Sequence, residues 1–347
     1  MSHTLAAQVA AAHRDALLRD VAGFIALERG GALVAGDVVP DLTAAPLAAA
    51  LRADEAAAAV RARGARVLGS GGYGVVIAAE LTVRRAIGGD VLACRLPCAV
   101  KTLWHIIAGP YNDAAFMREV AISCRLVHPN IVRTYGSVAG PPRCLVMELL
   151  TCSLGDLFLP RPDGRLPDPL SYREAIDLCT GVVTGVSVMR THNIVHGDLR
   201  LANVLVDADM TAKVSDLGTA RQMAELGGGS VWEPVLGQYC APERVARAPT
   251  VMALPYAWDV YSLSVIVVEV LTGERAEPVR WATLLPRVQH PPLRAAIVDG
   301  HRADPEARSS ADALLAALRG AAETAEYTGC PPRRRIVRDV SGGLRLV

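Results

Sequence analysis

The 347-residue chain is long enough for one large domain or two modest ones, and hydrophobic residues at 51% supply a sizeable core that Ala, Val and Leu must fill, aromatics being only 4%. A net charge of +1 excludes the global field that would favour nucleic acid or a membrane surface as partner. Eight scattered cysteines without a C-x-x-C pair argue against a zinc site or a disulfide framework and for a reducing, cytoplasmic compartment.

Residues 1–62 are Ala-rich and helical in period, with Leu5, Val9, Leu17 and Val21 at helical intervals. His13, Arg14 and Asp15 interrupt the first apolar stretch, which is therefore no signal peptide. Gly30 and Gly31 break the pattern, Pro40 marks a turn, and a second helix is expected from Thr43 or Ala44 to Arg61. The expectation is a helical extension packed on the main domain, with a regulatory partner as the other use of these helices.

From Val67 the pattern changes. Gly69-Ser70-Gly71-Gly72-Tyr73-Gly74-Val75-Val76 reads G-x-G-x-x-G-x-V between extended apolar segments. Such glycines let backbone N–H groups approach an anion closely. A Gly-rich hairpin and a dinucleotide fingerprint share the spacing. The β-branched run Val75-Val76-Ile77 favours strand–turn–strand over strand-to-helix. Cys98-Ala99-Val100-Lys101 is an apolar strand ending in a cation that needs a partner, and Glu119, eighteen residues on, lies on a helix expected from Asn112 or Asp113. Cys144 to Leu150 reads as a buried strand entering a linker, the proline-rich stretch Pro160 to Pro169 as a surface loop, and Tyr172 to Thr191 as a helix.

In Ile194-Val195-His196-Gly197-Asp198-Leu199-Arg200-Leu201-Ala202-Asn203-Val204-Leu205-Val206, an Asp and an Asn sit five residues apart in a short polar loop between apolar runs. Asp198 can accept a proton from an attacking hydroxyl while Asn203 holds a metal ion beside it. The bland alternative is a strand–turn–strand with both side chains solvated. Downstream lie Asp216-Leu217-Gly218, a Gly227–Gly229 run and Ala241-Pro242-Glu243. Leu263 to Leu271 contains Ser264 and Glu269; it is too short and too polar to span a bilayer and reads as a buried helix.

The order of these segments over residues 64–320 resembles that of eukaryotic-type protein kinases. The resemblance implies an α+β, bilobal fold: an antiparallel β lobe with one key helix (63–148) and a larger mainly helical lobe (151–325). Residues 326–347 read from their composition as a tail, with Arg333-Arg334-Arg335 solvated rather than a basic docking patch. ATP would bind between the lobes with Mg²⁺, and the γ-phosphoryl would pass to a Ser/Thr hydroxyl of a protein substrate. By resemblance, Asp198 is the catalytic base, with Arg200 in the same loop, and Lys101 paired to Glu119 positions the phosphates. Asn203 and Asp216 would hold the metal. Gly69 to Gly74, Val76, Ala99, Met147, the hinge from Glu148 to Leu150, and Leu205 would line the nucleotide. Asp259 would anchor the catalytic loop, and Arg308 would pair with Glu243. The string His128-Pro129-Asn130-Ile131-Val132 stands at the family's spacing from Glu119.

Three departures stand out. Gly197 replaces the arginine that meets an activation-segment phosphate, so activity is expected to be independent of one. Ser123 and Thr134 fall where the family has apolar residues, which implies an active state that needs support. Arg200 replaces a lysine common in Ser/Thr kinases, and with Ala202 it resembles some tyrosine kinases; Tyr239 before A-P-E favours Ser/Thr. A pseudokinase scaffold and an aminoglycoside-type phosphotransferase, whose loop reads H-G-D-L, are the alternatives.

Overall fold

The structure is a computed structural model and describes residues 38–39, 66–71, 74–87, 90–103, 110–138, 144–159, 167–223, 237–246, 254–326, 334–338 and 343–347. The expected N-terminal helices, Gly72, Tyr73 and the Gly227–Gly229 run lie outside the described residues. Two compact units result. One holds the described residues up to Arg125 together with Arg133–Leu149, the other Leu126–Val132 and Leu150–Val347.

The first unit is an antiparallel sheet with one helix. β1 (Val38–Val39), β2 (Val67–Gly71) and β4 (Asp90–Leu103) all pair with β3 (Gly74–Ile87), and β6 (Cys144–Glu148) lies between β4 and β5 (Thr134–Val138). β1 lies between the two expected N-terminal helices, in the stretch from Gly31 to Pro40 to which no element was assigned; its two β-branched residues pair with Leu81 and Glu80. β3 and β4 stay in register from Gly74↔Leu103 to Ile87↔Asp90. Alternation in β4 buries Leu96, Cys98 and Val100 while Arg95 and Pro97 face water. Helix α1 (Pro110–Arg125) begins two residues earlier than expected, at a proline whose missing N–H costs nothing in a first turn. Its Phe116 and Val120 pack on Leu145 of β6.

The second unit is mainly helical. α2 (Tyr172–Thr191) has the expected limits. A capping box sets its start: Ser171 Oγ accepts the Glu174 N–H at 3.2 Å and Glu174 returns an acceptor to the Ser171 N–H at 2.8 Å. Within α2, Gly185 lets the chain approach so closely that a Cβ there would lie 2.4 Å from the Asn130 carbonyl oxygen. Asn130 Nδ2 in turn donates to the Ala212 carbonyl at 2.9 Å, and Val132 N–H to that of Val214 at 2.9 Å. The His128–Val132 string therefore belongs to the second unit, although it runs between α1 and β5 of the first.

A three-stranded sheet follows, with β9 (Val204–Val206) between β7 (Cys152–Ser153) and β10 (Ala212–Val214), and a small pair joins β8 (Ile194–Val195) to β11 (Arg221–Gln222). After the short α3 (Pro242–Ala246), α4 (Tyr256–Thr272) is the apolar helix anticipated from Leu263 to Leu271; it stops at Gly273, left-handed at φ 71°. α5 (Trp281–Leu284), α6 (Pro291–Gly300) and α7 (Ala311–Glu326) complete it, and α2 packs against α4 and α7. The 304–308 run forms turns ahead of α7. No helix among the described residues is long and apolar enough to cross a membrane.

The stretch read as a solvated tail is a docked hairpin of β12 (Ile336–Arg338) and β13 (Leu344–Leu346). Arg334 donates to Glu174 from Nε at 2.9 Å and from Nη2, and Arg338 donates to the Thr151 carbonyl at 2.6 Å. Ile336 is buried and its N–H meets the Ala208 carbonyl. Partners 160 residues distant in sequence satisfy this arginine, so local composition misreads it.

Candidate active site

Each unit carries part of the expected site. In the first, β2 and β3 pair as the two strands of the predicted strand–turn–strand, with Ser70 opposite Val75 and Gly71 opposite Gly74. Val76 pairs with Lys101, and Ala99 with Met147. Directly opposed residues and those two apart share a face, so Val76, Ala99, Lys101 and Met147 lie on one side of the sheet. Lys101 Nζ reaches Glu119 Oε1 of α1 at 2.7 Å, with both side chains largely buried. The strand's cation and the helix's anion thus answer each other's desolvation. At the strand's end the Glu148 N–H is given to the Arg133 carbonyl at 2.9 Å. Leu150 falls in the second unit. Ser123 and Thr134 are both buried.

In the second unit the loop from His196 to Asn203 is held from several directions. The buried Asp259 accepts the main-chain N–H of His196 at 2.8 Å and of Gly197 at 2.9 Å. His196 Nδ1 accepts the Asp198 N–H at 3.2 Å, so its proton sits on Nε2, which meets the Ser215 carbonyl at 2.9 Å. Gly197 is left-handed at φ 76°, where a side chain would strain the backbone, and its carbonyl accepts from Arg244 at 2.6 Å. The Arg244 guanidinium also lies over the Trp258 ring at 4.9 Å.

Asn203 Nδ2 donates to the Asp198 carbonyl at 2.8 Å and to its carboxylate at 2.9 Å. That uses the amide's donors and leaves its oxygen for a cation. The Asn203 carbonyl accepts both the N–H and the hydroxyl of Ser215 at 2.9 Å, which ties Asp216 to the same loop. Asp216 is itself left-handed at φ 57°, an uncommon state for a non-glycine residue. Leu205, on β9, pairs with Lys213. Burial pushes the Asp198 carboxyl above its ordinary range and nearby Asp216 adds to this, while Arg200 and the Asn203 hydrogen bond pull the other way. The donor set of one carboxylate and one amide oxygen fits Mg²⁺, which is held by few protein ligands and shared with phosphate. No cluster of three or more metal-binding side chains occurs among the described residues.

Two further ties brace the unit. Arg308 grips both Glu243 oxygens at 2.6 Å, as expected, and reaches the carbonyls of Ala257, Arg302 and Ala303. Glu269, fully buried in α4, accepts from the Tyr239 hydroxyl at 2.6 Å, from Gln238 Nε2, and from the Ala276 N–H at 3.0 Å. Neither Glu269 nor Arg244 was singled out as a site residue by the sequence reading. The signal for Glu269 was a carboxylate in an otherwise apolar run, which must find donors when buried.

Residues 63–314 match the family model of the protein tyrosine and serine/threonine kinases. The serine/threonine-protein kinase STY46 of Arabidopsis thaliana is 32% identical over 207 residues, 59% of this chain and 32% of that protein. The cysteine-rich receptor-like protein kinase 27 of the same plant is 33% identical over 214 residues, 60% of this chain and 30% of that protein. The serine/threonine-protein kinase PknB of Mycolicibacterium smegmatis is 32% identical over 219 residues, 60% of this chain and 32% of that protein. The chain spans about a third of the length of these curated relatives.

Proposed function

The chain belongs to the protein tyrosine and serine/threonine kinase family, and on that premise we propose that it transfers the γ-phosphoryl group of ATP to a serine or threonine hydroxyl of a protein. The observation that carries this reading is the Asp198–Asn203 pair on a backbone that Asp259 holds. Asp198 orients the acceptor hydroxyl and takes its proton, and Arg200 favours its ionised form. Lys101, steadied by Glu119, positions the α and β phosphates under the glycine-rich turn. Val76, Ala99 and Met147 form an apolar wall for the adenine. Asn203 and Asp216 would hold Mg²⁺, whose charge offsets that of the phosphates.

A protein acceptor is supported by the Arg308–Glu243 clamp and the Asp259 anchor, which by family resemblance build a platform that small-molecule phosphotransferases lack. The intact Lys101, Asp198 and Asp216 support an active enzyme over a scaffold. Serine or threonine is supported by the similarity to the serine/threonine-protein kinases STY46 and PknB and by Tyr239 ahead of Ala241-Pro242-Glu243. Gly197 carries no cationic side chain to meet an activation-segment phosphate, which supports activity that needs none. Ser230→Ala and Ser230→Glu proteins should then turn over alike.

The test is incubation with Mg²⁺ and labelled ATP beside one basic and one acidic generic acceptor protein, followed by phosphoamino-acid analysis. Label on serine or threonine supports the reading. Label on tyrosine alone overturns the residue class, and absence of transfer overturns the reading itself.

A further inference from the structure

Beside Asp198 in the second unit lies a cavity of about 180 Å³. Its lining includes three arginines, Arg200, Arg244 and Arg275, against the single carboxylate of Asp198. Arg244 is buried and committed to the Gly197 carbonyl and the Trp258 ring. Arg200 and Arg275 are exposed at the rim, and no salt bridge to another described residue engages either. The acid next to Arg275 in sequence, Glu274, is taken by Arg280 and Arg287 and does not offset its charge.

The walls of this cavity are built rather than incidental. The buried Glu269 binds Tyr239 and Gln238 on one wall and the Ala276 N–H, next to Arg275, on the other. Ser262 Oγ donates to the Tyr239 carbonyl at 2.7 Å and fixes the same wall again. Glu269 is a carboxylate close enough to feel the Arg275 charge, and its oxygens are spent beneath the surface on those donors. A positive rim on a braced frame, next to the proposed base, favours a negative group there.

We propose that this cavity takes an anionic side chain, a carboxylate or a phosphate, adjacent to the acceptor hydroxyl, so that the protein acts on acidic or already phosphorylated segments. The assignment rests on the phosphoryl-transfer reading for the role of Asp198. Arg275 is then a specificity-determining residue.

The test compares peptides holding one serine flanked, at either neighbouring position, by Glu, phosphoserine, Ala or Lys. Their kcat/KM values are measured, and the binding of counterparts with alanine in place of the acceptor is measured separately. Glu and phosphoserine peptides should exceed the Ala peptide by about tenfold, as one charge-assisted contact gives, with Lys lowest. Arg275→Ala should flatten that order and Arg275→Glu should invert it. A preference for phosphoserine alone would identify phosphate as the source of the charge. Turnover that ignores flanking charge, or a full preference retained in Arg275→Glu, would overturn the assignment and leave the kinase reading intact. Charge-ordered binding of the alanine counterparts without any transfer would support the cavity and overturn the kinase reading instead.

Discussion

Asp259 receives the main-chain N–H of His196 at 2.8 Å and, with its other oxygen, that of Gly197 at 2.9 Å. A buried helix carboxylate therefore sets the backbone from which Asp198 projects. Asp259→Asn keeps the shape but turns an NH₂ toward a main-chain donor. Losing one hydrogen bond to a charged acceptor should cost roughly 2–3 kcal/mol of stability. Urea denaturation would measure it, and phosphate transfer should fall in parallel because the loop shifts.

Lys101 and Glu119 can be separated into structural and chemical roles. Lys101→Met strands a buried carboxylate, and breaking such a pair costs roughly 3–5 kcal/mol. Adding Glu119→Leu should restore most of the stability and none of the transfer. Equal instability of the single and double variants would show that the two charges are not coupled.

The acid limb of the pH–rate profile should report Asp198. Only its carboxylate accepts a proton, and burial raises its pKa, so the rate should fall with decreasing pH earlier than for an ordinary aspartate. Arg200 favours the ionised form. Arg200→Met should therefore move the limb to higher pH, and Arg200→Lys should leave it near its original place.

Burial raises the Glu174 carboxyl, but hydrogen bonds from Arg334 and from Ser171 outweigh this and hold its pKa at about 2. A depressed folded-state pKa contributes stability above the ordinary carboxylate range, lost as pH falls through about 2. Glu174→Gln should be less stable than the parent by about 2 kcal/mol at neutral pH, discounted for the partial exposure of Arg334. The difference should vanish toward pH 2. Removal of residues 334–347 should cost at least as much at neutral pH, since it also exposes Ile336 and breaks the Arg338–Thr151 contact.

Much of this site is written in local sequence. The limits of α2 follow from Ser171, Glu174 and helical periodicity, and the alternation around Lys101 places it opposite Val76 and in reach of Glu119. Asp259 and Arg308 were legible through motif order. What escaped depends on partners far along the chain. Arg334 looks solvated until Glu174 is brought to it, and Val38–Val39, between two expected helices, carry no strand signal of their own until β3 offers an edge. Glu269 stood out only as a charge in an apolar run; its donors, on Tyr239, Gln238 and Ala276, come together through folding.

The most direct measurement compares the parent protein with Asp198→Asn, reading ATP binding by calorimetry and phosphate transfer to protein in the same Mg²⁺ buffer. The account predicts that both bind ATP comparably and that transfer to serine or threonine falls by at least about a hundredfold in the variant, the scale of a lost general base. Undiminished transfer by Asp198→Asn would contradict it.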